Sequence, residues 1–305
     1  MKKSEISIIM PAYKAASYIE KTLESLGNQT YTNWELVVVE DGTDDGTKTI
    51  VDRFSQEVNQ NVIYFKNEVN KGVSATRNVA ASLATSYWLA FLDSDDIWHK
   101  DHLSVLMETA LNNPEHEVFY STHTKFYADV DKELLLKSIA DEKLEDPPFL
   151  SKNLPTALFN GYMVQPSTMM LTSSVFHSIH GFDENLRYVE DFHLYFKILT
   201  KGYKFIYTKK NTSFYKVNPN GLTSNSIRLN YATAQVRQEI LDIGWRDVDK
   251  KIMLNKTHEA WLLTARLARR SNSEIAKKAI KKALNIKFNI KTLFFLVLIF
   301  SGSKK

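Results

Sequence analysis

The densest chemical signal in the chain is Leu92-Asp93-Ser94-Asp95-Asp96, three carboxylates in four positions after an apolar run. Like charges at that spacing repel unless a cation sits among them, and Mg²⁺ or Mn²⁺ takes oxygen ligands and bridges to phosphates. Asp93 and Asp95 are therefore candidate ligands of a metal–diphosphate site; a solvated turn before Ile97-Trp98 would use the same residues. Glu40-Asp41-Gly42 offers acids past a second apolar run, suited to a base N–H or a ribose hydroxyl, and equally to turn chemistry. In Lys71-Gly72-Val73-Ser74-Ala75-Thr76-Arg77-Asn78, a glycine before a helix start leaves backbone N–H groups for an anion. Arg77, one turn in, could reach a phosphate, although a capped helix with a surface arginine explains the same string. Glu190-Asp191 is a second acidic pair, after Gly181-Phe182-Asp183-Glu184. Acids there suit a helix N-terminus, and a carboxylate there can also act as a general base. His193 beside them reads as a packed or surface histidine.

These residues need elements that bring them together. Ile6–Met10 reads as a strand ended by Pro11, Trp34–Val39 as a buried parallel strand, Val62–Phe65 as a third and Tyr87–Leu92 as a fourth. Helical patterns fall between them, with Ile19, Leu23 and Leu26, then Ile50, Val51 and Phe54, then the alanine-rich 74–85. Strand–helix alternation with short loops predicts an α/β fold around a doubly wound, mostly parallel sheet, whose ligands gather at the carboxyl ends of the strands. The acidic and glycine-rich loops all follow strands. Farther on, Phe119–Phe126 and Met169–Leu171 read as strands, Val189–Thr200 as a helix, 129–160 as loop or short helices, and 227–291 as helical.

Composition bounds the rest. Apolar residues are 44% and charged residues 24%, and the 17 Phe, 14 Tyr and 5 Trp suit a packed enzyme with ring-lined clefts. With no cysteine, disulfides, thiolate metal sites and cysteine nucleophiles are excluded. The opening residues lack a secretory h-region, and the longest apolar run, Leu293–Phe300, is eight residues, so a polytopic membrane protein is not expected. Eleven of the 39 basic residues, but one of the 35 acidic ones, lie between Ala265 and Lys305.

Taken in order, Met10-Pro11-Ala12-Tyr13, Gln29-Thr30-Tyr31, Glu40-Asp41-Gly42-Thr43-Asp44-Asp45-Gly46-Thr47, Asn70-Lys71-Gly72-Val73-Ser74 with Arg77-Asn78, and Phe91-Leu92-Asp93-Ser94-Asp95-Asp96 with Trp98 resemble family 2 glycosyltransferases. Gly181-Phe182-Asp183-Glu184 followed by Glu190-Asp191 is similar to that family's acceptor-side motif, and the resemblance covers about residues 5–217. It implies a GT-A fold with a C-terminal helical extension. It also implies inverting transfer of one sugar from a nucleotide-diphosphate donor, by family habit a UDP-sugar, to a hydroxyl of a glycan or lipid-linked acceptor in bacterial polysaccharide biosynthesis. By position, Pro11, Ala12 and Tyr13 would line the nucleotide pocket. Glu40 and Asp41 would hold base or ribose, with Glu40 standing where the family more often has Asp. Arg77 would contact the donor side, Asp93, Ser94 and Glu190 would bind substrate, Asp93 and Asp95 would bracket Mn²⁺ or Mg²⁺, and Asp191 would be the base. The domain expectation is a nucleotide-sugar half at 1–105, an acceptor half with the base at 106–225, and a basic helical tail at 226–305. The family's processive synthases carry membrane spans and a Gln/Arg-x-x-Arg-Trp motif; Gln235-Val236-Arg237-Gln238 and Gly244-Trp245-Arg246 do not reproduce it, which favours single addition.

In the tail, Ile275, Ala279, Ile280, Ala283 and Leu284 share one helical side and Lys277, Lys278, Lys281 and Lys282 the other. With Leu293–Phe300 and Lys304-Lys305 this reads as attachment to an anionic membrane at its inner, cytoplasmic face, each lysine adding about 1 kcal/mol. Packing on the body or on a second copy would use the same apolar strip, and a homo-oligomer stays open. Nucleic acid is not expected as a partner, because the tail offers few rings for stacking. A sugar-phosphate nucleotidyltransferase is the enzymatic alternative, but Pro11-Ala12-Tyr13-Lys14 is no glycine-rich phosphate loop; a non-catalytic binding protein using the tail is the other. No Gly-x-Gly-x-x-Gly follows the first strand, which argues against a dinucleotide dehydrogenase.

Overall fold

Aliphatic and β-branched runs become central strands here because helices cover both faces of the sheet they form. The computed structural model describes residues 4–127, 154–161, 164–217, 226–245 and 248–301. Most of the irregular 129–160 segment, Arg246 and Lys304-Lys305 lie outside the described residues. The chain divides into two compact units, Met1–Pro147 with Val164–Asn218, and Pro148–Met163 with Pro219–Lys305.

The first unit runs β1 (Ile6–Ala12), α1 (Ile19–Gly27), β2 (Trp34–Asp41), α2 (Thr47–Glu57), β3 (Asn61–Asn67), α3 (Val73–Leu83), β4 (Trp88–Phe91), β5 (Ile97–Trp98), α4 (His102–Asn112) and β6 (Val118–Phe126). After α5 (Leu154–Phe159), which belongs to the second unit, come β7 (Met169–Thr172), α6 (Ser173–Ser178), α7 (Glu190–Thr200) and β8 (Phe205–Lys216). The eight strands form one sheet in the order β3-β2-β1-β4-β7-β6-β8-β5. The first four are mutually parallel, β7 runs against both neighbours, β6 and β8 are parallel, and β5 is antiparallel to β8. Every residue of β1 and β2 is buried. Ile19, Leu23 and Leu26 of α1 and Val51 and Phe54 of α2 join Ile8, Leu36 and Val38 in the main core. The mostly parallel α/β sheet with C-terminal helices is the expected architecture.

Two details depart from the sequence reading. β1 does not stop at Pro11; Pro11 and Ala12 continue it opposite Val39 and Glu40. Proline is tolerated because pairing with β4 ends at Ile9–Phe91, so the missing N–H has no ladder partner to lose. β8 was not anticipated: its polar Lys209-Lys210-Asn211 centre, with Lys209 at φ 58°, erases the alternation, and the register against β6 shifts there.

The β2–α2 connection needs glycine at 42. Gly42 has φ +68°, and a Cβ would lie 2.4 Å from the backbone at Val69 and Asn70. Gly42→Ala should therefore push the β3–α3 loop off Asp41 and cost at least about 2 kcal/mol of stability, read by thermal denaturation. A variant as stable as wild type would contradict that packing.

The second unit is a helical assembly of α5, α8 (Ser226–Ile243), α9 (Lys250–Ala268), α10 (Ser273–Ile286) and α11 (Ile290–Ser301). Its core is alanine-rich, with Ala234, Ala260, Trp261, Ala265, Ala268, Ala276, Ala279, Ile280, Ala283 and Ile299. The apolar strip of α10 is thus spent inside this unit, which removes that strip from the surface expected to meet a membrane. Among the described residues no helix is long and apolar enough to cross a membrane.

Candidate active site

Parallel strands all deliver their carboxyl ends to one edge of the sheet, so Ala12, Asp41, Asn67 and Asp93 emerge together. Asp41 is buried and fully engaged. Its Oδ1 accepts from Asn67 Nδ2 at 3.0 Å and from the Lys71 N–H at 2.8 Å, and its Oδ2 accepts from the Gly72 N–H at 2.8 Å. The anion at the start of α3 is therefore the protein's own Asp41. Glu40, also buried, accepts from Thr43 Oγ1 at 2.6 Å and from the Tyr64 hydroxyl. Pro11 and Ala12 are buried at the end of β1, whereas Tyr13 is largely exposed, with the Lys14 ammonium 5.5 Å from its ring centroid.

Helix α3 places Ser74, Arg77 and Asn78 at i, i+3 and i+4, hence on one face. That face meets the 181–190 segment. Ser74 Oγ donates to the Leu186 carbonyl at 3.1 Å, and Asn78 bonds both the Phe182 backbone and Glu184 Oε1. Glycine is required at 181 because a Cβ there would lie 2.5 Å from Asn78 Oδ1. Arg77 is the join. Its Nη2 donates to Asp93 Oδ1 at 2.7 Å and its Nη1 to Glu190 Oε1 at 3.0 Å, and its guanidinium rests 5.1 Å from the Phe182 ring centroid. The guanidinium is only 3% exposed, so it is held by these two carboxylates rather than presented to solvent. Burial alone would weaken its charge, but Asp93 and Glu190 overcome that and hold the proton more firmly. Arg77→Met should leave two part-buried carboxylates uncompensated and cost about 3–5 kcal/mol in thermal unfolding. A loss below about 1 kcal/mol would mean the bridge does not organise the site.

Helix α7 begins under strain. Val189, its cap, has φ 54° in the left-handed region, which β-branched residues avoid. That turn sets Glu190 and Asp191 in the first turn of the helix. Asp191 Oδ1 accepts the Phe192 N–H at 2.7 Å. Burial first, and Glu190 second, push the Asp191 carboxyl up to about 7. Asp95 is raised to about 6 by burial and then by Asp93, with Lys216 and Arg77 opposing.

Several contacts that build the site, and the residues Tyr215 and Lys216, were not legible in the sequence. Asp96 is a buried clamp: Oδ2 accepts from Ser167 Oγ at 2.5 Å and Oδ1 from the Lys216 N–H at 3.0 Å. The Ser94 carbonyl accepts from Thr22 Oγ1 at 2.9 Å, which fixes the turn between Asp93 and Asp95. Tyr215 of β8 is pushed up to about 12 by burial and by Asp96, Asp95, Asp93 and Asp191, so it stands within the field of all four. Lys216 Nζ lies 4.8 Å from the Tyr18 ring centroid. Tyr215-Lys216 sits at a strand end like the other site residues, but the irregular β8 hid it.

The oxygen-only donor set of Asp93 and Asp95 fits a hard divalent ion. Among the described residues no cluster of three or more acidic or histidine side chains could hold one alone. Two carboxylates leave the remaining positions to substrate oxygens and water, the habit of Mg²⁺ at phosphates.

The model of the family described as glycosyl transferase family 2 matches residues 7–178, more than half of the chain. The chain belongs to that family. This family 2 glycosyltransferase is 26% identical over 225 residues to the Escherichia coli UDP-Glc:alpha-D-GlcNAc-diphosphoundecaprenol beta-1,3-glucosyltransferase WfaP, covering 73% of this chain and 81% of that protein. Other curated relatives align over a shorter stretch, 42% of their length. Among solved structures, Staphylococcus aureus TarS 1-349 in complex with UDP-GlcNAc superposes with a TM-score of 0.66 at 19% identity, over 92% of this chain and 81% of that one. The Pyrobaculum calidifontis mannosyltransferase PcManGT, solved with GDP-Man and Mn²⁺, gives 0.62 at 18% identity, over 99% and 80%. The shared fold is GT-A-like. With the family established, the nucleotidyltransferase reading falls away.

Proposed function

We propose that this glycosyltransferase moves one sugar, with inversion, from a UDP-sugar to a hydroxyl of a glycan or lipid-linked acceptor during assembly of a bacterial surface polysaccharide. The observation that carries the reading is the Arg77 bridge. It ties Asp93, at the end of β4, to Glu190, 113 positions from Arg77 in sequence and next to Asp191. Donor-side and acceptor-side acids of the family pattern thus share one cation. The printed activity of WfaP and the UDP-GlcNAc complex of TarS support a UDP-sugar, and the acceptor named for WfaP supports a lipid-linked one. The Mn²⁺ in PcManGT supports a divalent ion at Asp93 and Asp95.

In this reading Pro11, Ala12 and Tyr13 border the nucleoside, and Asp41 and Glu40 hold the loop that meets base and ribose. Asp93 and Asp95, with Ser94 fixing their turn, hold the metal, which would neutralise charge developing on the leaving diphosphate. Arg77 keeps Asp93 and Glu190 in place. Asp191 takes the proton of the attacking hydroxyl as that oxygen reaches the anomeric carbon from the face opposite the diphosphate. Single displacement inverts the centre and needs no covalent intermediate. The enzyme would work at the inner face of the cell membrane, where lipid-linked acceptors reside.

A panel of UDP- and GDP-sugars, assayed for nucleotide release with Mn²⁺, Mg²⁺ or chelator, tests the proposal. Metal-dependent release from one UDP-sugar is expected; release from none, or equal release in chelator, would refute it. The pH profile is a second test. The base works ionised, and its carboxyl titrates at about 7, so the rate should climb as pH rises through neutrality, about tenfold in kcat/KM between pH 6 and pH 8. A flat profile there would remove Asp191 from the base role.

A further inference from the structure

Helix α11 carries two apolar stripes, and the helical unit uses one. Thr292, Phe295, Leu296 and Ile299 recur at helical spacing and turn inward. Thr292 and Ile299 are buried, Thr292 Oγ1 and His258 Nε2 share a 2.9 Å hydrogen bond, and Phe295 and Leu296 pack on the alanine-rich core. Ile290, Leu293, Phe294, Val297 and Phe300 repeat the same spacing on the opposite side and stay exposed. Ile290 is 85% exposed, and Phe294 and Val297 are each 58% exposed. Phe288, just before the helix, is 70% exposed.

A contiguous apolar stripe of this kind calls for a cover, and its chemistry says which. It offers no hydrogen-bonding side chain and, of the aromatic and Arg anchors that protein interfaces favour, only Phe. The charge near it in the chain is one-sided, with eleven Lys/Arg against one acid between Ala265 and Lys305. Lys278, Lys281, Lys282 and Lys287 are exposed on α10 and in the turn into α11, with Lys278 and Lys282 sharing a pocket with Glu239 and Asp242 of α8 and Lys287 Nζ donating to Asn255 Oδ1 at 3.2 Å. Apolar bulk without directional polar groups, in a stretch of the chain this rich in cations, matches the headgroup–acyl boundary of an anionic bilayer. With 12 residues, α11 is roughly 18 Å long, short of the roughly 30 Å hydrocarbon layer. It can lie in the interface but not cross it.

We propose that α11 seats the enzyme on an anionic lipid surface through Ile290, Leu293, Phe294, Val297 and Phe300, the lysines of α10 and of the following turn supplying the attraction. This goes beyond the transfer reading: it rests on the membrane-side location proposed above, moved from the buried strip of α10 to the outer stripe of α11, and not on the sugar chemistry. The test is co-flotation of the full chain with vesicles of phosphatidylcholine alone and of phosphatidylcholine with about one-third phosphatidylglycerol. Wild type should float with the anionic vesicles only, and less so at high salt. A Phe294→Glu, Val297→Glu double variant should cut the bound fraction at least about tenfold while keeping its circular dichroism and its turnover on a water-soluble acceptor. Phe294→Trp should shift its emission to the blue on anionic vesicles. Flotation that persists in Asp191→Asn supports the docking whatever becomes of the transfer reading. Wild type that ignores anionic vesicles, or a double variant that floats as well as wild type, overturns it. So does a wild-type dimer in analytical ultracentrifugation that the double variant dissociates, which would give the stripe to a second copy.

Discussion

Asp191→Asn should bind donor normally and lose transfer by a factor of about 10³ or more, because the attacking hydroxyl loses its proton acceptor while Arg77, Asp93 and Glu190 stay in place. The same substitution should raise thermal stability, and the sign follows from titration. The folded-state carboxyl titrates at about 7, above its unfolded value near 3.9, so the folded protein holds its proton more tightly. The stability this brings is fully present below about pH 4 and is lost as pH rises from there through the folded value near 7. The amide cannot ionise, so the variant should gain of order 4 kcal/mol at pH 8, about a third of that at pH 5 and almost nothing below about pH 3.5. Higher stability joined to lost turnover is the signature of a catalytic carboxylate held away from water. Near wild-type transfer in this variant would end the base assignment, and unchanged stability at both pH values would show that Asp191 is not desolvated.

Asp95→Asn carries the second large effect. Asp93 is already half committed, since Oδ1 takes the Arg77 guanidinium, which leaves Asp95 as the less engaged carboxylate of the pair. Its rise to about 6, caused by burial and then by Asp93, marks a negative charge held close to another. Replacing it with a neutral amide should weaken Mn²⁺-dependent UDP-sugar binding at least about 100-fold by calorimetry. The fold should hold, because the Asp96 clamp on Ser167 and Lys216 is untouched. Asp96→Ala should do the reverse, costing stability first. If Asp95→Asn bound Mn²⁺ and donor as tightly as wild type, the metal would have to lie elsewhere.

How far these residues could be read from sequence depended on the local pattern. β1 and β2 were legible because a strand buried on both faces is an unbroken aliphatic run, and α1 because its apolar residues keep helical spacing. Asp93, Asp95, Glu190 and Asp191 stood out because acids cluster at element ends. What the string could not carry was pairing across distance. The part of Arg77 is set by Glu190, and nothing between them in sequence announces it. Lys71-Gly72 was read as a cradle for an anion without sign that Asp41 fills it. Tyr215 and Lys216 were hidden because β8 breaks its alternation at Lys209-Lys210. In the tail, the alanines of α10 allow close helix approach, and composition alone cannot distinguish a strip that meets another helix from one that meets lipid.

The most direct measurement is the position of manganese, located by anomalous diffraction, in a crystal of this enzyme grown with UDP and Mn²⁺. A peak at oxygen-ligand distance from Asp95, between the Arg77-held Asp93 and the UDP diphosphate, with Asp191 across the space left for the sugar, is the predicted result. Manganese and UDP bound away from Asp93 and Asp95, or Asp191 turned away from the diphosphate, would contradict the account.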